Sequence, residues 1–415
     1  MADFDLMEGK ITRTVLFVDD EPNILAGLRR MLRSMRRRRN FLFAGSGREA
    51  LDLLATGSVD VVVSDMRMPG MDGAELLTAV KKRHPGCIRV MLTGHADNEA
   101  ILRTVGVVHQ FLSKPIDPDL LRQVLERALA LQDHMENERL RALISGIDSL
   151  PCLPQTFARL QTLLQSPDCS MAEVGRVIES DLAMSAKILQ LVNSAFFGLF
   201  RHVESPARAV NLLGLDTIKA LVLAVGVFSE LQTTRSAVFS VADLWSHSFG
   251  CAMFSREIAR LEEQNKEMVD NCFIAGLMHD VGKLLLFSCL PAEFEQAVTL
   301  ARENGMLLAR AERAVFGADH GAVGGYLLGL WGLPGPVVEG VVFHQRLETY
   351  PEPSFSPALA VHAADIICHR LDQKPLVGIA PQAASEHLAE AGYGDRLEIW
   401  ESHCVALANQ REKDD

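Results

Sequence analysis

Five short apolar runs punctuate the first 115 residues: VLFV at 15–18, FLFA at 41–44, VDVVV at 59–63, IRVML at 88–92 and a weaker HQFL at 109–112. Runs of this length read as strands buried on both faces, and helical patterns separate them. Strands alternating with helices predict βαβ units and a parallel sheet. After Asp117-Pro118, a cap residue followed by a helix-starting proline, neither Gly nor Pro intervenes until about residue 144. The pattern predicts one helix of roughly 40 Å, at 1.5 Å rise per residue. Its broken apolar stripe (Leu121, Val124, Leu125, Ala128, Leu131, Met135, Leu143) reads equally as a dimerising seam or as a last helix running into a linker. From Ser149 onward the periodicity is helical, and no strand-like alternation is sustained, which predicts an all-α domain.

Composition narrows the class. The chain has 415 residues, 48% hydrophobic and 23% charged, enough for two or three globular domains. Its net charge of −12 argues against a general grip on nucleic acid, although RRMLRSMRRRRN at 29–40 is locally basic. That cluster reads better as the solvated end of the first helix, where cations favour the dipole. Eight cysteines occur without a C-x-x-C pair, as expected for reduced thiols of the cytoplasm. The opening MADFDLMEGK lacks a signal-peptide pattern, and the longest uncharged run, 321–338, is broken by prolines and glycines, so no membrane span is expected.

Ligands of parallel sheets gather at the carboxyl ends of strands. The residues just past those ends are Asp19-Asp20-Glu21, Asp65, Thr93 and Lys114. Close acids repel unless a cation sits among them, and oxygen-only ligands suit Mg²⁺. A carboxylate can attack phosphorus and carry it as an acyl phosphate. The metal, Lys114 and the Thr93 hydroxyl would neutralise the phosphoryl charge.

FVDDEP, VVVSDMRMPGMDG, VMLTGHA and FLSKP resemble the receiver domain of two-component response regulators over residues 13–130, after a tail at 1–12. The resemblance implies a doubly wound, five-stranded, flavodoxin-like sheet. It implies Asp65 as phosphoacceptor and Asp19, Asp20, Asp65 and the Arg67 carbonyl as the Mg²⁺ site. Thr93 and Lys114 would contact the phosphoryl group, and Phe111 takes the aromatic switch position, where it could act by packing alone.

Beyond a linker at 131–147, SLPCLP, VIESDLAMSAKILQLVNSAFFG and AVNLLGLDTIKALVL resemble an HDOD domain at 148–350, a relative of the HD phosphohydrolases. A helical extension at 351–404 and a polar tail at 405–415 would follow. Leu182 stands where that family usually has Pro, with a small local effect expected at the helix start. HD hydrolases assemble metals from histidines, a His-Asp pair and a later Asp; this chain offers His247, His279, Asp280, His320, His344 and Asp365 in that order. Asp243 precedes His247 by four, the same face of a helix. Such a set suits Fe, Mn or Zn, with Lys283 in GLMHDVGK as a candidate catalytic cation. The stretch HQRLETYP at 344–351 lacks the HHExxDGxGYP signature of the cyclic di-GMP hydrolases, and Gln345 replaces a second histidine.

Together these features imply a cytoplasmic response regulator, phosphorylated by a sensor histidine kinase, whose HDOD domain relays the signal to a downstream signalling protein. Two alternatives remain open: a receiver-gated, metal-dependent phosphodiesterase, and a DNA-binding regulator, for which only the basic cluster speaks.

Overall fold

The computed structural model describes residues 13–94 except 38, 104, 106–134, 137–147, 151–166 except 153, 169–192, 203, 205–214, 218, 229–230, 239–350, 354–371 and 387–414. The N-terminal tail and the SAFFG segment at 194–198 lie outside the described residues. The chain divides into two compact units between Asp133 and His134.

The first unit is a five-stranded sheet, with β1 (Thr14–Val18), β2 (Asn40–Ala44), β3 (Val61–Asp65), β4 (Ile88–Thr93) and β5 (Gln110–Ser113) in the order β2-β1-β3-β4-β5. Every pairing is parallel. β1, β3 and β4 are buried along their whole length, which explains why their sequences are mostly apolar rather than alternating; the buried Arg89 of β4 donates to the Val107 and Cys87 carbonyls. Chain crossings run to both sides of β1, placing a topological switch beside its carboxyl end. The described helices of this unit are α1 (Pro22–Met31), α2 (Gly47–Thr56), α3 (Gly73–Arg83) and α4 (Pro118–His134). The sequence places the third run at 59–63; the strand itself reaches Asp65, so the acid ends the strand rather than following it.

The basic cluster begins at the end of the first helix and continues through a 3₁₀ helix at Leu32–Arg37. Arg29 and Arg30 occupy the last turn of α1, and the Arg29 guanidinium lies 4.4 Å from the centroid of the Phe43 ring.

The single long helix expected from 118 to 144 is replaced by two. α4 ends at His134, and α5 (Glu138–Ser145) begins afresh after Asn137, which adopts extended backbone and accepts a hydrogen bond from the Leu140 amide at 3.1 Å. Asn137 also donates to the Phe316 carbonyl at 2.7 Å, so its amide is spent on capping and anchoring. An asparagine can break a helical register as effectively as glycine when its side chain finds the cap bond.

The second unit is helical. α6 (Pro154–Gln165), α7 (Met171–Glu179), α8 (Leu182–Val192) and α9 (Pro206–Leu213) are followed by α10 (Val241–Leu261), α11 (Lys266–Met278), α12 (Val281–Cys289), α13 (Pro291–Asn304) and α14 (Leu308–Phe316). α15 (His320–Leu330), α16 (Gly335–Phe343), α17 (Pro357–Leu371) and α18 (Leu397–Asp414) complete it. A two-residue parallel pairing of Pro151–Cys152 with Ser229–Glu230 is the one departure from an all-α reading among the described residues. α8 starts at Leu182 with Asp181 accepting from the Met184 amide at 3.0 Å; the cap makes a proline there unnecessary.

The stretch Lys266–Cys289 is long and apolar enough to cross a membrane by composition, yet 89% of its most apolar window is buried inside this unit. It is core. The polar residues from 405 continue α18, whose buried side chains, Leu397, Trp400 and Cys404, lie in its first half. That indole is fully buried and donates to Glu262 at 2.9 Å.

Candidate functional site

At the carboxyl edge of the sheet, β1, β3 and β5 bring three charged groups together. Lys114 Nζ lies 2.9 Å from Asp19 Oδ2 and 2.6 Å from Asp65 Oδ1. Asp65 Oδ2 accepts from the Arg67 amide at 3.2 Å, and Asp19 Oδ1 accepts from the Glu21 amide at 2.9 Å. Asp19 is buried, whereas Asp20 beside it is only partly so. Gly73 lets α3 close on this edge: a Cβ there would stand 2.1 Å from the Asp65 carbonyl oxygen. Burial pushes the Asp65 carboxyl up, as does the neighbouring Asp19 charge, against the lowering contact of Lys114. Burial works to lower the Lys114 ammonium, but its bonds to Asp65 and Asp19 outweigh that and hold it above its usual range.

Thr93 closes β4, and its carbonyl accepts from the Lys114 amide at 2.7 Å, tying the hydroxyl-bearing strand end to the lysine. Phe111 sits in β5, 5% exposed and in register with Met91, so its ring packs inward. Of the expected receiver residues, Asp19, Asp65 and Lys114 are in direct contact, and Arg67 joins through its amide. The oxygen donors of Asp19, Asp20 and Asp65 fit Mg²⁺, and an acid raised by burial and by a neighbouring acid is a group that a cation would relieve.

In the helical unit a second cluster forms where helices meet. His279 directly follows the last residue of α11 and Asp280 directly precedes α12, so the pair occupies a helix junction. Gly282 permits that junction to touch the start of α15, since a Cβ there would lie 1.9 Å from the His320 carbonyl oxygen. Asp280 collects His320 Nε2 at 3.4 Å, His279 Nε2 at 3.5 Å, His344 Nε2 at 3.8 Å and His247 Nε2 at 3.9 Å. Lys283 Nζ lies 2.6 Å from the same carboxylate. Asp365 on α17 faces His247 Nε2 at 3.0 Å and His279 Nε2 at 4.0 Å.

The outer nitrogens of the imidazoles are already engaged. His279 Nδ1 donates to the Gly276 carbonyl and His344 Nδ1 to the Val341 carbonyl, each at 2.7 Å; His320 Nδ1 meets Glu312 Oε2 at 2.5 Å. That fixes the tautomer and turns the Nε2 lone pairs inward. There His279, His320 and His344 Nε2 and Asp280 Oδ1 are buried without hydrogen-bond partners. Lone pairs converging on a carboxylate are repulsive unless a proton or cation lies between them, and the N/O donor set fits a divalent transition ion. Burial depresses His279 and, with His279 and His320 beside it, takes His344 down to about 3. Burial would raise Asp280, but the surrounding charges of His279, Lys283, His320 and His247 hold it well below the usual carboxylate range.

Six of the seven expected ligands therefore meet. Asp243 does not: it is exposed in the first turn of α10, where its amide donates to Ser240 Oγ, one turn too near the solvent end. The sequence reading also passed over Glu312, Cys251 and His369. His369 Nε2 lies 3.2 Å from Asp365, one turn along α17, and Cys251 Sγ lies 3.6 Å from His247 Nε2, one turn along α10. For Cys251 and His369 the four-residue spacings were the available signal; Glu312, eight residues before His320, offered none.

A doubly wound receiver-like sheet and a helical His-Asp domain define the class. Family models agree, matching a response regulator receiver domain at residues 15–126 and an HDOD domain at 150–347. The chain thus carries a receiver domain followed by an HDOD domain and is homologous to response regulators. It is 26% identical over 248 residues to an uncharacterized protein of Treponema pallidum (strain Nichols), covering 60% of this chain and 47% of that one. It is 37% identical over 131 residues to the transcriptional regulatory protein GlrR of Escherichia coli (strain K12), 31% of this chain and 29% of the relative. The chain thus spans less than half the length of either. Among solved structures, the MmoQ response regulator of Methylococcus capsulatus str. Bath is similar at 26% identity over 60% of this chain and 98% of that one, with a TM-score of 0.48.

Proposed function

We propose that this protein is a cytoplasmic phosphorelay response regulator: a sensor histidine kinase transfers a phosphoryl group to Asp65, and the HDOD unit passes the signal on by binding a downstream signalling protein. The observation that carries this reading is Lys114 held between Asp19 and Asp65. An ammonium that already bridges the two carboxylates is placed to follow charge onto the phosphoryl oxygens. Asp65 Oδ1 would attack phosphorus, the donor's leaving group would depart with the electron pair, and an acyl phosphate would remain. Mg²⁺, held by Asp19, Asp20, Asp65 and the Arg67 carbonyl, supplies further charge neutralisation when bound. Thr93 is the hydroxyl at the neighbouring strand end, and the inward-packed Phe111 would respond through packing. Incubation with a radiolabelled small phosphodonor and Mg²⁺ tests the step. Wild type should be labelled and Asp65→Asn should not; equal labelling would remove Asp65 as acceptor.

A metal-dependent phosphodiesterase is the second reading, favoured by the inward-facing imidazoles. Burial weighs against turnover: His279, Asp280, His320 and His344 are 0% exposed, which leaves a phosphodiester no approach to them among the described residues. Metal-loaded protein that hydrolyses cyclic di-GMP, with loss in Asp280→Ala, would overturn this preference.

A further inference from the structure

This inference rests on the reading that the imidazole–carboxylate cage holds a divalent ion, and it concerns which ion. We propose that Cys251 supplies a thiolate to the cage, making a borderline-soft position of His247, Cys251, His279 and Asp365 suited to Zn²⁺. One ligand atom from each of these four residues lies within 4.8 Å of the others, and all four residues are buried. His247 and Cys251 are a single turn apart on α10, so the helix itself sets their spacing.

Three edges of the group lie near those of a tetrahedron. Zinc bonds of ~2.3 Å to sulfur and ~2.0–2.2 Å to nitrogen or oxygen imply ligand–ligand edges of about 3.6 Å for S···N and about 3.4 Å for N···O. The protein shows 3.6 Å for Cys251 Sγ to His247 Nε2, and 3.0 and 4.0 Å for the two imidazoles to Asp365 Oδ1. His279 Nε2, aimed into the group, is buried and unpartnered. His369 Nε2 meets the same Asp365 oxygen at 3.2 Å, so a third imidazole borders the group from the next turn of α17.

A buried cysteine is ordinarily a small apolar filler. This one differs in its neighbours. One imidazole nitrogen lies 3.6 Å from its sulfur, a second imidazole and a carboxylate each offer a ligand atom within 4.8 Å of it, and the remaining histidines of the cage, His320 and His344, lie on the Asp280 side. A thiolate also changes the preference of the set. Nitrogen and oxygen alone admit Mn²⁺ or Fe²⁺, whereas one sulfur shifts the preference toward Zn²⁺. On binding, the thiol proton leaves to bulk solvent and the sulfur lone pair goes to the metal, with no change of oxidation state.

Cobalt substitution tests the proposal without any catalytic readout. Full-length protein is stripped with chelator, loaded with Co²⁺, and its absorption recorded with bound cobalt quantified. Wild type should show visible bands of tetrahedral Co²⁺ together with a near-ultraviolet sulfur-to-cobalt charge-transfer band. Cys251→Ser and Cys251→Ala should each lose the charge-transfer band, and Cys289→Ser should keep it. Cobalt bound to wild type without that band, or a band that survives both Cys251 substitutions, overturns the thiolate assignment while leaving the cage intact. Wild type that binds no cobalt overturns the cage reading and the thiolate with it.

Discussion

Asp65 shows how burial and charge compete at one carboxyl. Burial and Asp19 raise it, and Lys114 at 2.6 Å does not fully compensate. The sign follows from linkage: a folded-state pKa above the unfolded value stabilises the fold at low pH, and that contribution is lost as pH rises through the folded value. In magnesium-free protein, Asp65→Asn should therefore raise the thermal midpoint of the receiver at neutral pH and flatten its pH dependence across the carboxylate range. A lowered midpoint would mean that the Lys114 contact outweighs the burial. The strand-end acids were legible in the sequence because a parallel sheet delivers successive carboxyl ends to one rim. The cage was legible only in part. Its histidines are ordered along the chain, but Glu312, Cys251 and His369 became members through tertiary packing. Asp243 shares a helical face with His247 and still lies outside, because one turn separates the buried and exposed ends of that face.

At the level of elements, caps and anchors decided what periodicity could not. The absence of Gly and Pro between 118 and 144 predicts one helix, yet the Asn137 cap divides it, and α5 belongs to the helical unit. A dimer seam running the whole length loses its support, since an unbroken helix was its premise. The C-terminal helix shows the reverse case. Its polar end is helical too, while its first half joins the core through Trp400, clustered with Leu359, Ala363, Leu388 and Cys404. Trp400→Ala should cost about 3–5 kcal/mol of unfolding free energy, the usual range for emptying a buried indole site. Urea denaturation of the intact protein checks this, and a loss under about 1 kcal/mol, well below that range, would show that α18 is not integral.

At the scale of the whole molecule, the proposal couples two units with different chemistries: an oxygen-lined rim that takes a phosphoryl group and a buried cage that fits a metal. Coupling requires only that the acyl phosphate favour one state of the helical unit over another. A bias of about 1–3 kcal/mol changes partner affinity roughly 5–150-fold. Such a bias has to appear as altered local stability somewhere in residues 134–415. The most direct measurement is hydrogen exchange on the full-length protein, read by mass spectrometry with and without a small phosphodonor and Mg²⁺. Wild type should change its exchange within the helical unit as well as at the sheet rim, and Asp65→Asn should change in neither. Exchange that alters only in residues 13–133 of wild type would contradict the account, because the mark would then be made and never passed on.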